Sequence, residues 1–368
     1  SPRHIMSNFA TPLEAIQGII LAPTEPFDLS KTTEVRGFDF ANGVDFDALF
    51  QSFKTVGFQA TNFALAVDEI NAMINWRLSD IAPTPNESEE EHDPEYRKKT
   101  RGTIFLGYTS NMVSAGTRET IKYLVKNHMV DAIVTTAGGI EEDFMKCLVP
   151  HYMGDFYLDG CKLRLQGMNR IGNLLVPNDN YVHFEAWIMP IFEAMYQEQV
   201  KEKKLWSPSS LIDRLGKEIN NEDSIYYWAH KNQIPVFCPA ITDGSIGDMM
   251  TMFSFQHDDF VCDVISDARK INMLALSAKH IGQFVLGGGV PKHHIFNASL
   301  FGNGASRSVI VSTAQEFDGS DSGARPDEAK SWGKIKRDAT PVKLHGEATI
   351  LFPLLVSQTF AKHFVPRQ

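Results

Sequence analysis

The chain of 368 residues has only four cysteines, at positions 147, 161, 238 and 262. No two of them form a CxxC pair, and none lies in a cysteine and histidine cluster with the spacing of a zinc site. Scattered cysteines in a chain of this length indicate free, mostly packed thiols in a reducing compartment. The sequence therefore predicts a cytoplasmic protein without disulfides and without a metal.

The chain also lacks long hydrophobic runs, because no apolar stretch approaches the roughly 20 residues that a membrane-spanning helix needs. No secretory signal is visible, and residues 1–5, ahead of Met6, resemble a cloning remnant. Hydrophobic residues make up 43% and charged residues 22%, as in ordinary globular proteins. A net charge of −10 disfavours binding to nucleic acid and suits a cationic ligand or partner.

The sequence contains no internal repeat, and its first 34 residues are predicted to be an extension of a single domain that covers 35–368. Within the extension, PLEAIQGII is expected to be helical. Apolar residues at helical spacing predict helices between 46 and 81. Residues 79–101 are acidic, then basic, with three prolines, and are expected to form a flexible, solvated insertion.

From residue 103 onward, short apolar runs alternate with amphipathic stretches. Strands are predicted at 103–109, 131–138, 234–240, 282–289 and 306–314, with a long loop between 148 and 181. Helices are predicted at 117–128, 140–148, 181–203, 207–219, 243–253, 260–279, 291–301 and 347–360. This alternation predicts an α/β fold: a doubly wound, mainly parallel Rossmann-like sheet with helices on both faces and an N-terminal helical extension.

Each predicted strand ends in small or glycine-rich residues that are followed by polar ones. The sequences are TSN, TTAGGIEED, ITDGSIGD, GGGVPKHH and STAQEFDGSDSG. Ligands of open parallel sheets bind at these ends, where small residues allow close approach and helix N-termini attract anions. A nucleotide with a pyrophosphate fits this pattern, although no GxGxxG follows the first strand.

Carboxylates gather at the same strand ends and on the loop that follows residue 315. They could hold Mg²⁺, or they could bind the ammonium groups of a polyamine. Each one taken singly could also be a solvated surface carboxylate. The candidates are Glu141, Glu142, Asp243, Asp248, Asp321 and Glu328.

Lys334 is the strongest single candidate for a catalytic residue, because Trp332 precedes it by two residues. A lysine that is partly desolvated by an apolar ring can act as a nucleophile in Schiff-base chemistry. A surface lysine with its stem on the ring is the simpler interpretation. His293 and His294 open a predicted helix, where one could accept a proton and both could equally be structural.

Several long motifs of the chain resemble those of the deoxyhypusine synthase family. They are EFDGSDSGARPDEAKSWGKI, VTTAGGIEED, RIGNLLVPNDNY, PAITDGSIGDM and GGGVPKHH. The resemblance extends from VRGFDF at 35–40 to LFPLL at 351–355, which is nearly the whole chain.

The resemblance implies an NAD-dependent enzyme of hypusine biosynthesis, a post-translational modification. NAD oxidises spermidine, diaminopropane leaves, and the butylimine passes through an enzyme lysine to one lysine of the hypusine-bearing translation factor precursor. By motif, the enzyme lysine is Lys334 and the proton acceptor is His293. The polyamine site is expected to comprise Glu142, Asp248, Gly319, Ser320, Asp321, Glu328 and Trp332, to which the carboxylate pattern adds Glu141.

The resemblance also implies which residues contact the dinucleotide. They are Ser110, Asn111, Ser114, Thr136, Ala137, Gly138, Glu142, Asp243, Gly288, Thr313, Ala314, Glu347 and Ala348. At Glu347 an aspartate is the expected residue, so this contact departs from the pattern. The family forms homotetramers, as pairs of dimers with sites at the dimer interface, and its N-terminal extension can cover a neighbour's site.

A plain NAD-dependent dehydrogenase is a weaker alternative, because it would not need Lys334. Two other functions remain open at this stage. A homospermidine synthase has the same chemistry with putrescine as the acceptor, and no residue excludes it. A non-catalytic subunit that activates a true synthase is expected to have lost some of the residues that this chain keeps, such as Lys334 and His293.

Overall fold

The computed structural model describes residues 11–23 and 28–362, so the predicted cloning remnant at 1–5 lies outside the described residues. The predicted helix of the N-terminal extension is present at Pro12–Ile20. The Thr11 hydroxyl accepts a hydrogen bond from the Glu14 amide at 3.2 Å and caps this helix. Leu13, Ile16 and Ile19 of the helix are exposed. No helix within the described ranges is both long and apolar enough to span a bilayer.

The strands of the described residues belong to two sheets. In chain order they are β1 (Thr103–Tyr108), β2 (Ala132–Thr135), β3 (Tyr152–Met153), β4 (Met168–Ile171), β5 (Leu174–Pro177), β6 (Val236–Phe237), β7 (Ile281–Leu286), β8 (Arg307–Ser312) and β9 (Val342–His345). The main sheet has six strands in the order β6-β2-β1-β7-β8-β9, and every pairing in it is parallel. The predicted doubly wound α/β fold is confirmed.

The α-helices of the described residues alternate with these strands. They are α1 (Pro12–Ile20), α2 (Phe46–Val56), α3 (Phe58–Asn75), α4 (Glu89–His92), α5 (Pro94–Lys99), α6 (Asn111–Ser114), α7 (Arg118–Lys126), α8 (Ala137–Leu148), α9 (Gly160–Leu165), α10 (Asn178–Glu202), α11 (Pro208–Ile219), α12 (Ile225–Lys231), α13 (Ser245–Ser254), α14 (Val264–Ser277), α15 (Gly289–Phe301), α16 (Pro326–Ser331) and α17 (Ala348–Gln358).

Buried side chains cover both faces of the main sheet, because successive residues of a strand point to opposite sides. In β1, Ile104 and Leu106 pack into one core with α3, α7 and α8. Phe105, between them, packs into a second core with Ile271 of α14 and Ile295 of α15. Helices therefore lie on both faces, as expected for buried parallel strands.

The structure corrects the prediction of a long loop between 148 and 181. This segment contains α9 and a small antiparallel sheet in the order β3-β5-β4. The sequence analysis also missed β9, α12 and α16. These elements have only four to seven residues each, too few for a clear pattern in the sequence.

The predicted insertion at 79–101 contains two short helices, α4 and α5. Arg97 is only 4% exposed, and its guanidinium contacts Glu87 and the carbonyl oxygens of Leu78 and Ile81. The flexibility of this segment stays a prediction, but a buried arginine connects its second helix to the turn at Leu78 and Ile81 that follows α3.

Candidate active site

Lys334 and His293 lie 41 residues apart in sequence, yet Nζ of Lys334 is 3.4 Å from Nε2 of His293. His293 belongs to the first turns of α15, which begins directly after β7. Lys334 follows Gly333, whose φ of +73° turns the chain out of α16. A parallel bridge between Ala305 and Ile335 fixes the main chain just beyond the lysine. The two residues predicted to be catalytic are therefore neighbours in space.

The other ring nitrogen of His293 is held by Asn297, a residue that the sequence analysis did not predict. The side-chain nitrogen of Asn297 lies 3.3 Å from Nδ1 of His293. This contact holds the ring so that Nε2 faces the Lys334 amine, where it can accept a proton. The spacing of four residues within a predicted helix was the available signal.

A pocket of about 450 Å³ opens beside this pair of side chains. The polar loop between β8 and α16 forms one wall, and α15 forms the other. The structure brings seven of the predicted catalytic and substrate-binding residues together in its lining: His293, Gly319, Ser320, Asp321, Glu328, Trp332 and Lys334.

The Trp332 side chain lies at the solvent-exposed edge of this pocket. Its ring centre lies 5.7 Å from the Lys334 ammonium, and its side chain is 65% exposed. A ring this exposed excludes little water from Lys334 within one chain, so the predicted shielding of the lysine is weak there.

The charged side chains around the pocket include more cations than carboxylates, contrary to the acid-rich pocket that the sequence suggests. Asp321 and Glu328 supply two carboxylates, whereas Lys292, Arg325 and Lys334 supply cations. Lys292 is almost completely buried, and burial lowers the pKa of its ammonium. A ligand with several ammonium groups would need further carboxylates from outside this lining.

The remaining predicted carboxylates lie in a second group, at the end of β2 and the start of α13. Glu141 is buried in α8, and its Oε2 accepts a hydrogen bond from the Ile246 amide at 2.7 Å. Burial raises the pKa of Glu141. Asp248 lies in the first turn of α13, and Asp243 lies in the turn before it. None of these residues lines the Lys334 pocket, and Glu141 already serves as a cap for α13.

Glu142, next in α8, accepts a hydrogen bond from the Ser114 hydroxyl. Burial raises the pKa of Glu142 to about 7. One turn later, Lys146 donates to the carbonyl oxygens of Val113, at 2.7 Å, and Ser114, at 2.5 Å, and burial lowers its pKa to about 8. The lysine therefore fixes α6 against α8, a role that was not predicted.

The residues predicted to contact a dinucleotide share one edge of the main sheet. The Ser110 amide donates to the Thr136 hydroxyl at 3.0 Å, and a Cβ at Gly138 would lie 2.8 Å from Cβ of Ser110. Only glycine allows this close approach of the turns after β1 and β2. In order along the sheet, the set follows β6 (Asp243), β2 (Thr136, Ala137, Gly138, Glu142), β1 (Ser110, Asn111, Ser114), β7 (Gly288), β8 (Thr313, Ala314) and β9 (Glu347, Ala348).

Three helices of 11 to 13 residues, α8, α15 and α17, begin at this edge. Their first amides are suited to an anion such as a pyrophosphate. Glu347 occupies the cap position of α17, where its carboxylate accepts from the Ile350 amide at 3.2 Å and from the Thr349 hydroxyl. Its carboxylate is thus already engaged within the chain.

Comparisons with known proteins identify the family of the chain. The family model for deoxyhypusine synthase matches residues 48–359. The chain is 62% identical over 337 residues, 92% of this chain and 89% of the relative, to a protein from Dictyostelium discoideum named probable deoxyhypusine synthase. It is 54% identical over 360 residues, 95% of each chain, to the deoxyhypusine synthase of Nicotiana tabacum.

A solved structure supports the same relationship. The crystal structure of a protein from Entamoeba histolytica, assigned as a deoxyhypusine synthase, superposes with a TM-score of 0.64 at 32% identity and covers 91% of this chain and 98% of its own. The family model, the shared sequence and the fold lead to one conclusion: the chain belongs to the deoxyhypusine synthase family of aminobutyl transferases.

Proposed function

We propose that the enzyme takes the aminobutyl group of spermidine onto Lys334 and passes it to a lysine of the hypusine-bearing translation factor precursor. The observation that carries this proposal is the 3.4 Å contact between the Lys334 amine and the His293 imidazole in a pocket lined by carboxylates. A nucleophilic amine next to a proton acceptor is what imine formation and transfer require.

When bound, NAD would supply the hydride acceptor for oxidation of the butyl carbon that carries the secondary nitrogen, and its reduced form would supply the hydride for the final reduction. His293 accepts the proton of that nitrogen as the carbon–nitrogen double bond forms. The Lys334 amine then adds to the imine carbon, and 1,3-diaminopropane leaves with the original nitrogen. The acceptor lysine displaces Lys334 in the same way, which frees Lys334 for another turnover.

The strand-end residues fit a dinucleotide. Gly138 keeps the turns after β1 and β2 in contact, and three helix N-termini face the same edge. We place the cofactor against Ser110, Asn111, Ser114, Thr136, Ala137, Gly138, Glu142, Asp243, Gly288, Thr313, Ala314 and Ala348. Since Glu347 caps α17, we expect its contact with the cofactor to be the weakest of the set.

The polyamine carboxylates suggest that two chains share each site. Asp321 and Glu328 line the Lys334 pocket, whereas Glu142 and Asp248 lie in the second group. We propose that a second copy brings its Glu142 and Asp248 to face Lys334, within a homotetramer built from two dimers in the cytoplasm. The exposed apolar side chains of α1 suit a role for the N-terminal extension in covering a neighbour's site.

The test is covalent trapping. The protein is incubated with NAD and spermidine, reduced with borohydride and mapped by peptide mass spectrometry. An aminobutyl group on Lys334 is expected, with none in Lys334→Arg, which keeps the charge but not the nucleophile. NAD-dependent spermidine cleavage without any lysine adduct would contradict the mechanism. Assays with the protein precursor and with putrescine then identify the acceptor, and transfer to putrescine alone would favour a homospermidine synthase.

A further inference from the structure

Lys292 lies beside the active-site pocket and is only 3% exposed. Its ammonium donates a hydrogen bond to the main-chain carbonyl of Asp321 and lies 3.9 Å from Oδ2 of the same residue. That Oδ2 is buried and accepts no hydrogen bond within the described ranges. We propose that Lys292 is a positioning residue, which holds the buried Oδ2 side of Asp321 so that the exposed part of the same carboxylate faces the cationic substrate. This inference rests on the proposed function.

A buried ammonium is costly unless hydrogen bonds and opposite charge compensate it. The stem of Lys292 runs beside Phe296, whose ring centre is 5.6 Å from Nζ, so an apolar residue could fill the same space. Packing alone therefore does not explain a lysine here. The Lys292 ammonium lies next to Oδ2 of Asp321, which accepts no hydrogen bond from the part of the chain that the structure describes. This pairing points to a role for the positive charge of Lys292.

The loop that carries Asp321 is joined to α15 at two points. The Gly289 amide donates to the Ser322 hydroxyl at 2.9 Å, and Lys292 provides the second connection. His293 follows Lys292 directly in α15. The position of the Asp321 carboxylate is thus set relative to the proton acceptor through one rigid helix.

The distance between the Lys292 ammonium and Oδ2 decides how this carboxylate can act. A close ion pair would neutralise the carboxylate and weaken its attraction for a substrate ammonium. At 3.9 Å the lysine balances the charge at the buried Oδ2, while the Asp321 side chain, 35% exposed, keeps its accessible part for the substrate. Of the other charged groups, Arg325, Glu328 and Lys334 line the same pocket, and Lys343 donates to carbonyl oxygens of the same loop.

Lys343 offers a matched control because it holds the same loop without lining the Lys334 pocket. Its ammonium donates to the carbonyl oxygen of Ala314 at 3.0 Å and to that of Gly323 at 2.5 Å. A loss of loop tethering alone should follow from Lys343→Met as well as from Lys292→Met. A loss of the correctly placed Asp321 carboxylate should follow from Lys292→Met only.

The experiment is a double-mutant cycle on the full enzyme, with Lys292→Met, Asp321→Asn and the double variant. The KM for spermidine, kcat and Tm are measured for each. Lys292→Met should raise the KM about tenfold or more with a smaller change in kcat, since a charge-assisted contact is weakened. In the Asp321→Asn background the same change should alter the KM by less than about threefold.

Lys292→Arg should restore much of the KM, and Lys343→Met should lower the Tm without the selective rise in KM. Equal effects of Lys292→Met in both backgrounds, or an unchanged KM, would overturn the inference. If Lys292→Met does not fold, Lys292→Gln takes its place in the cycle. Absence of spermidine-dependent NADH formation in the wild-type enzyme would instead reject the proposed function.

Discussion

The side-chain nitrogen of Asn297 lies 3.3 Å from Nδ1 of His293, one helical turn away on α15. This contact holds the imidazole with Nε2 towards the Lys334 amine. Asn297→Asp should make His293 easier to protonate, because a carboxylate accepts a hydrogen bond from Nδ1–H and favours the imidazolium. We expect the acid limb of the pH profile of spermidine oxidation to move to higher pH.

The measurement for this variant is kcat for NADH formation between pH 6 and 10. Asn297→Ala is the control, since it removes the contact without adding a charge. It should lower kcat without an upward shift of the acid limb. Identical profiles for the wild type and Asn297→Asp would show that Asn297 does not govern His293.

Glu142 should make stability depend on pH, because burial raises its pKa to about 7 from an ordinary value of 4.5. The folded protein keeps this proton at pH values where the unfolded chain has released it. The associated stability is fully present below about pH 4.5 and is lost as the pH rises through 7. Glu142→Gln removes the titrating carboxyl group, so this variant should not lose that stability as the pH rises.

We therefore expect Glu142→Gln to raise the Tm relative to wild type more at pH 8 than at pH 5, with NAD absent. Differential scanning calorimetry at pH 5 and at pH 8 measures the Tm difference between the variant and the wild type. Glu185→Gln, at an exposed position of α10, is the control and should show no such difference. A gain that is equal at both pH values would mean that Glu142 does not titrate in this range.

Arg97 should be a major source of stability for the 79–101 segment. Arg97→Met leaves the Glu87 carboxylate buried without its partner and removes the hydrogen bonds to Leu78 and Ile81. Breaking a buried ion pair in this way costs about 3–5 kcal/mol of unfolding free energy. Urea denaturation measures the loss, and limited proteolysis should show new cleavage within 79–101.

The neighbouring Lys98–Glu95 pair supplies the control, because both side chains are largely exposed. Lys98→Met should change stability little. If Arg97→Met proved equally mild, the segment would be only loosely attached, as the sequence alone suggests.

Gly333 should be essential for the placement of Lys334. Its φ of +73° disfavours any side chain, and a Cβ there would lie 3.2 Å from Cδ1 of Leu300. Gly333→Ala is expected to cost about 1–2 kcal/mol of stability and to slow adduct formation on the next residue. Gly160→Ala, at an open position in α9, should do neither. Equal adduct rates in both variants would show that the turn tolerates a side chain.

Much of the fold follows from local sequence. The strands β1, β7 and β8 have six residues each and are buried almost throughout, so the apolar runs within them indicate buried strands. By contrast, β9 has four residues, VKLH, with alternating burial and a polar character. Its place at the edge of the sheet comes from tertiary pairing with β8, which a single sequence does not reveal.

The site is harder to predict than the fold. Lys334 and His293 meet only because Gly333 reverses the chain and the Ala305–Ile335 bridge fixes it. Lys292 was missed because burial has no local signal, and Asn297 was missed because its spacing of four residues from His293 does not by itself specify a contact. The separation of Glu142 from the Lys334 pocket depends on where α8 starts along the sheet edge, again a matter of tertiary structure.

The division of the polyamine carboxylates between two regions of the chain has a genetic consequence. On the proposed arrangement, Lys334 of one copy works opposite Glu142 and Asp248 of another. A Lys334→Ala allele and a Glu142→Ala allele would each be null alone, yet their products would assemble into mixed dimers. One of the two sites in such a dimer would contain every functional residue. Two inactive alleles should therefore complement each other, whereas two alleles altered in the same region should not.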